Sequence, residues 1–253
     1  ALCSKDHSVW STFPHVHQPV LRELIGAIET LRVEQIFIVL LAAIGCDKRP
    51  FADLARMLVN FTVRYSTICN LSPSNLMTPF VRAALEIRQT GKVDVDGLFR
   101  KHLAALYPQD NQFHSAFSRK SIRVNAQSRY ILLQINNFLL PNPSMRTQAD
   151  PKATDVEHIL PKRFENSWKT DKREFPGGAD KYIYRLGNMT LISKKLNEEL
   201  GNADFERKKK VYASDCLEIT QRVLSASKWT AEEIKARQNW LASIACKIWR
   251  YPV

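Results

Sequence analysis

Residues 155–161 read DVEHILP: two carboxylates and a histidine within four positions, closed by a proline. Taken alone, the run reads more readily as an ordinary strand with solvated charges than as the edge of an active site. Its surroundings separate the two. A short β-like run covers 154–160, a polar glycine-containing segment follows, a second β-like run, GNMTLIS, covers 187–193, and KKLNEELG after it has helical spacing. Strand, loop, strand, helix is the resulting order. It places Asn188 at the start of the second strand and Asn197, nine positions later, on the helix. Each asparagine also has a bland reading, because Gly-Asn before a strand is commonly a turn and asparagines cap helices. Asn202 is read as a cap. Side chains alternate along a strand, so Asp155 and Glu157 face one way and His158 the other. All three can serve one site only on a twisted or edge strand.

The wider composition favours a polyanionic partner. Among 253 residues, 37 Lys and Arg outnumber 25 Asp and Glu, a formal charge of +12, and nucleic acid is the polyanion expected first. The hydrophobic fraction of 45% is sufficient for a core. Five cysteines, Cys3, Cys46, Cys69, Cys216 and Cys246, are widely spaced and include no CxxC pair. They exclude a zinc ribbon and a disulfide framework, and a reducing cytoplasm is the expected setting. The longest apolar run, IFIVLLAAIGC at 36–46, is about half the ~20 residues a membrane span needs; a buried core helix is expected instead, and no membrane. The chain begins at Ala1, and its first fifteen residues lack a hydrophobic period. A fragment of a longer protein is therefore expected.

From about 19 to 140 the apolar spacing is three and four, as in VLRELIGAIETL, FADLARMLVNFTVRY and RYILLQINNFLL, with Pro50 and Pro79 suited to first helical turns. PNPSMRTQADPK at 141–152 carries three prolines and no apolar period, which predicts a connector and a domain boundary. The predicted organisation is a helical domain over 1–150 and a second domain over 151–253. The GG at 177–178 lacks the lysine of a phosphate-binding loop.

The pattern DxEHILP, GNxTLxxxxxN and NxxFxxKxxxY resembles the His-Asn-His nuclease superfamily with its ββα-metal fold. More narrowly, it resembles the C-terminal nuclease domain (DUF1524) of GmrSD-type modification-dependent restriction enzymes. The likeness covers roughly 154–249, and the helical region before it weakly resembles the end of the DUF262 segment that precedes such nucleases. The resemblance implies a mainly α chain with a small β component: a helical domain, then a ββα-metal core with a helical C-terminal extension. It implies a metal-dependent DNA endonuclease or nickase, the effector part of a bacterial anti-phage or modification-dependent restriction system, with an upstream DUF262-like domain as partner.

Carried over by position, His158 matches the general base that takes a proton from the attacking water, a task suited to its near-neutral intrinsic pKa. Glu157 and Asn197 match the metal ligands, Asp155 is a further ligand or a residue supporting one, and Asn188 matches the asparagine that orients the base. Oxygen ligation of this kind favours Mg²⁺ or Mn²⁺; many relatives carry histidine in place of Asn197.

Lys162, Arg163, Lys194 and Lys195 flank the motif strands and are expected on the DNA backbone. Arg207 and Lys208, in the RKKK run, are expected there too, or else on a solvated helix face. His15 and His17 alternate as strand ligands would but lie in an irregular stretch, and the sequence around His7, His102 and His114 shows no persuasive pattern of acidic neighbours. Trp229, Trp240 and Trp249 are expected to pack the tail over the nuclease core. Two other functions fit the same residues: an inert nucleic-acid-binding module, and a ribonuclease.

Overall fold

The spacing in VLRELIGAIETL puts Leu21, Leu24, Ile25, Ile28 and Leu31 on one helical face. In the computed structural model these residues form the buried face of α1, Gln18–Leu31. The structure describes residues 13–142, 154–164, 168, 173–214 and 217–251. The expectations for Cys3, His7, Cys216 and most of the proline-rich connector lie outside them.

The chain divides into two compact units. One runs to Phe113 and takes in the chain from Trp249; the other runs from His114 to Ile248. In the first, α1 is followed by α2 (Ile36–Ala43), α3 (Phe51–Thr62), α4 (Met77–Thr90) and the single turn α5 (Val95–Leu98). The apolar run becomes α2, buried along Ile36, Val39, Leu40 and Ala43 with Leu41 on the exposed side. Among the described residues no helix is long and apolar enough to cross a membrane. A π-helical turn, Val63–Ile68, extends α3 and carries Arg64. This fully buried guanidinium donates to the carbonyls of Trp249 (2.5 Å) and Pro108 (2.9 Å) and lies over the rings of Tyr107 and Phe113. Trp249 therefore belongs to this unit, away from the nuclease tail where the sequence had placed it. His15 and His17 sit in a 3₁₀ turn.

Helix α6 (Asp110–Phe117) crosses into the second unit, which continues with α7 (Asn125–Leu139), β1 (Thr154–His158), α8 (Asp180–Ile183), β2 (Met189–Ser193), α9 (Lys194–Leu200), α10 (Phe205–Tyr212), α11 (Glu218–Gln221) and α12 (Ala231–Ile248). The strands form an antiparallel pair, with His158 opposite Met189 and Thr154 opposite Ser193. The mainly α fold with a small β component is as expected. The unit boundary, however, lies before α7, whereas the sequence placed a domain boundary near 150. Helix α7 packs on β1, β2, α11 and α12, burying Ile131, Leu132 and Ile135. Its apolar period is the same as that of the earlier helices, so the sequence gives no sign that it belongs with the strands.

Local chemistry fixes how the helices approach the strands. The Ser193 side chain accepts from Leu196 N–H and starts α9 directly after β2. Asp204 caps α10 in the same way. Helix α12 lies against the turn Leu186–Asn188. Its Arg237, buried, donates to the carbonyls of Gly187 (3.1 Å), Met189 (2.7 Å) and Ile219 (3.2 Å). A Cβ on Gly187 would overlap the backbone carbonyl of Ile234 and come within 2.8 Å of the Gln238 Cβ. Gly187→Ala should therefore move α12 off the turn and cost about 1–3 kcal/mol, read as a lowered thermal midpoint; an unchanged midpoint would show that the contact yields.

Candidate active site

The end of β1 sends its charged side chains to different neighbours. Glu157 is buried; its Oε1 accepts from Lys208 Nζ at 2.5 Å and from Tyr212 Oη at 3.0 Å. Lys208 and Tyr212 are one turn apart on α10 and so share a face. The Lys208 ammonium also donates to the carbonyl of His158 at 2.7 Å. Burial pushes the Glu157 carboxyl up, against the pull of Lys208 and Tyr212. Burial likewise pushes the Lys208 ammonium down, against its attraction to Glu157. With no exposed surface, Lys208 does not reach the DNA backbone assigned to it from sequence. Glu157, assigned to a metal, has its charge occupied by this pair.

Asp155, half-buried, lies elsewhere. Its Oδ2 accepts from the Asn197 amide at 2.9 Å and its Oδ1 from Arg129 of α7 at 3.0 Å. Burial disfavours its charge, but bonds from Val156 N–H, Asn197 and Arg129 outweigh this and hold the carboxyl below its ordinary value. The structure thus brings Asp155 and Asn197 together and leaves Glu157 apart. Among the described residues no three His, Cys, Asp or Glu side chains gather as a metal site would require. Both Asp155 oxygens accept hydrogen bonds, and the Asn197 amide turns its Nδ2 toward that carboxylate. A carboxylate and an amide oxygen are the hard donor types that Mg²⁺ takes.

His158 is also buried, and among the described residues its Nε2 has no hydrogen-bond partner. The imidazole meets the ring of Tyr184 edge-on, with centroids 5.7 Å apart. Burial, then the charges of Lys162 and Lys208, lower its pKa from 6.5 to about 4, against an opposing pull from Asp155. At neutral pH the ring is uncharged and can accept a proton.

Asn188 does not touch the imidazole. Fully buried, its Oδ1 accepts from Leu160 N–H (2.8 Å) and Trp229 Nε1–H (2.9 Å), while its Nδ2 donates to the carbonyls of Leu160 (2.9 Å) and Ile183 (3.0 Å). It sets the backbone just past His158 instead of the ring. Lys162, Arg163, Lys194, Lys195 and Arg207 are all exposed. Sequence reasoning did not single out Arg123, Arg129 or Tyr184. Arg123 and Arg129 fall before the expected domain start, and Tyr184 stands in a loop without period. The Trp229 bond to Asn188 was likewise invisible in helical spacing.

A buried histidine thus ends a two-stranded antiparallel sheet, and a carboxylate of the same strand meets an amide on the helix that follows the second strand. Residues 107–244 match the C-terminal domain of GmrSD restriction endonucleases, and the chain belongs to that family. It is thus a nuclease domain of a restriction system. No match was found among curated proteins.

Two measurements check this geometry. Removing one partner of a buried pair costs about 3–5 kcal/mol, so Lys208→Met should lower stability by that order, and adding Glu157→Leu should recover part of it. A cost from Lys208→Met that Glu157→Leu deepens would refute the pairing. His158 binds its proton near pH 6.5 when unfolded but only near 4 when folded. Lowering the pH through that interval therefore favours unfolding. Relative to His158→Gln, the wild type should lose stability between those values, and parallel pH curves would contradict the depressed pKa.

Proposed function

We propose that this domain is a metal-dependent DNA endonuclease that hydrolyses phosphodiester bonds one strand at a time, with His158 as general base. The observation that carries the reading is the unpartnered, buried Nε2 of His158 in a member of a restriction endonuclease family. The unsatisfied nitrogen is where a proton from water would go; general-base strength is greatest with a pKa near the operating pH, so substrate or metal binding would have to raise the value that burial holds low. Asp155 and Asn197 would hold Mg²⁺ or Mn²⁺, which when bound offsets charge on the phosphate and on the leaving oxygen. Asn188 and Lys208 act as positioning residues: both bond the backbone beside His158 and leave its ring free. Glu157 serves as the counter-charge of Lys208. Exposed Lys162, Arg163, Lys194, Lys195 and Arg207 supply sequence-independent backbone contacts. A single site of this kind cuts one strand, so nicks are the expected first product.

The ion pair of Arg129 with Asp155 favours a second reading, in which the carboxylate is permanently engaged and the domain binds nucleic acid without cutting it. Nicking of supercoiled plasmid separates the two. Wild-type protein with Mg²⁺ or Mn²⁺ should yield open-circle DNA, lost in EDTA and reduced by at least about a hundredfold in an identically purified His158→Ala preparation. Cutting that survives His158→Ala would remove the base assignment, and binding without product would favour the inert module.

A further inference from the structure

We propose that Arg123 and Lys162, brought together on the ring of Tyr184 beside His158, form a clamp for one phosphate of the nucleic-acid backbone. The proposal rests on the nuclease reading for its purpose, but its geometry stands independently. The Arg123 guanidinium lies 4.7 Å from the Tyr184 centroid and the Lys162 ammonium 6.0 Å from it. The edge contact with His158 joins the same ring. One aromatic side chain therefore collects two cations and the candidate base.

The backbone holds this cluster in place. Ile122 N–H donates to the Tyr184 carbonyl at 2.9 Å, Ser121 forms an isolated antiparallel bridge with Arg185, and the Arg185 guanidinium donates to the Ser118 carbonyl at 2.5 Å. The segment leading into α7 is thereby fastened to the segment leading into β2, and Arg123 is carried with it. Lys162 arrives from the other side, four residues past His158 on the chain leaving β1.

The chemistry favours a phosphate. Arg123 and Lys162 are both exposed, and among the described residues neither forms an ion pair. A guanidinium resting on an aromatic ring keeps its in-plane N–H donors available for an anion, and a neighbouring ammonium adds a point charge. With Arg123 over Tyr184, the ring is a support for cations, leaving less room for a stacked base. Beside a base histidine, the anion of use to this domain is the backbone phosphate next to the bond being cut.

Binding tests the clamp without cleavage. A short duplex DNA is titrated against full-chain His158→Ala protein in EDTA over a salt series, alone and with Arg123→Ala or Lys162→Ala added. Either loss should weaken binding and reduce the slope of log affinity against log salt, by at most about one for the shared phosphate. Arg123→Lys should restore the slope, and Tyr184→Leu should act like Arg123→Ala. Lys228→Ala, an exposed lysine paired with Glu174, should change the slope least. Equal losses from Lys228→Ala and Arg123→Ala, or no loss from either clamp residue, would overturn the proposal. Clamp-dependent slopes in a chain that never nicks plasmid would retain the clamp and remove the nuclease reading. A chain that binds no DNA at low salt would remove both.

Discussion

The site depends on one side-chain amide. Asn188 is fully buried and uses its two N–H donors and two oxygen lone pairs on Leu160, Ile183 and Trp229. Those partners come from the chain leaving β1, the end of α8 and the segment before α12. A group so placed is costly to leave unmade, because each orphaned buried partner forfeits ~1–3 kcal/mol. The same turn is held from outside by Arg237, whose guanidinium, among the described residues, meets only neutral acceptors and whose pKa burial lowers to about 10. Gly187 lets α12 approach closely enough for this. Neither Asn188 nor Arg237 is placed to touch substrate, yet between them they determine where β1 ends and so where the His158 ring points.

Around that frame, electrostatics divide the charged groups of β1 into two environments. Glu157 is taken inward and neutralised by Lys208, which also bonds the His158 carbonyl. Asp155, half-exposed, is left near Asn197 and Arg129, where a carboxylate stays ionised. Burial and nearby cations keep the imidazole neutral between them. A buried Glu–Lys pair contributes little net stability, since desolvation offsets most of the attraction. Its consequence here is positional: the lysine that balances the carboxylate also fixes the carbonyl of the next residue.

The sequence carried the order of elements, the motif and the helical majority, because these are local: a period of two, a period near four, and residue types at fixed spacing. It gave no means of telling which side chains meet where the answer depends on three dimensions, as for Glu157 and Lys208. An ideal strand puts Asp155 and Glu157 on one face, and nothing in RKKK distinguishes the lysine facing Glu157 from those facing water. The spacing of Phe205, Lys208 and Tyr212 held a clue, since Lys208 and Tyr212 must share a helical face and only that face can pack on a strand. Trp229 and Trp249 share an apolar tail in sequence, yet one donates to Asn188 and the other belongs to a different compact unit.

The placement of α7 follows from size. A two-stranded sheet with one short helix is marginal by itself. The strands need cover, which α12 and α7 supply: α12 lies on the turn before β2, and α7 packs on both strands. The family match beginning at 107 and the compact unit beginning at His114 include that cover, whereas a division at the proline-rich stretch would strip one helix from the sheet. The same placement brings Arg129 to Asp155 and Arg123 to Tyr184. The residues that complete the hydrophobic layer therefore also supply cations to the site, from a segment whose sequence, read alone, resembles another amphipathic helix.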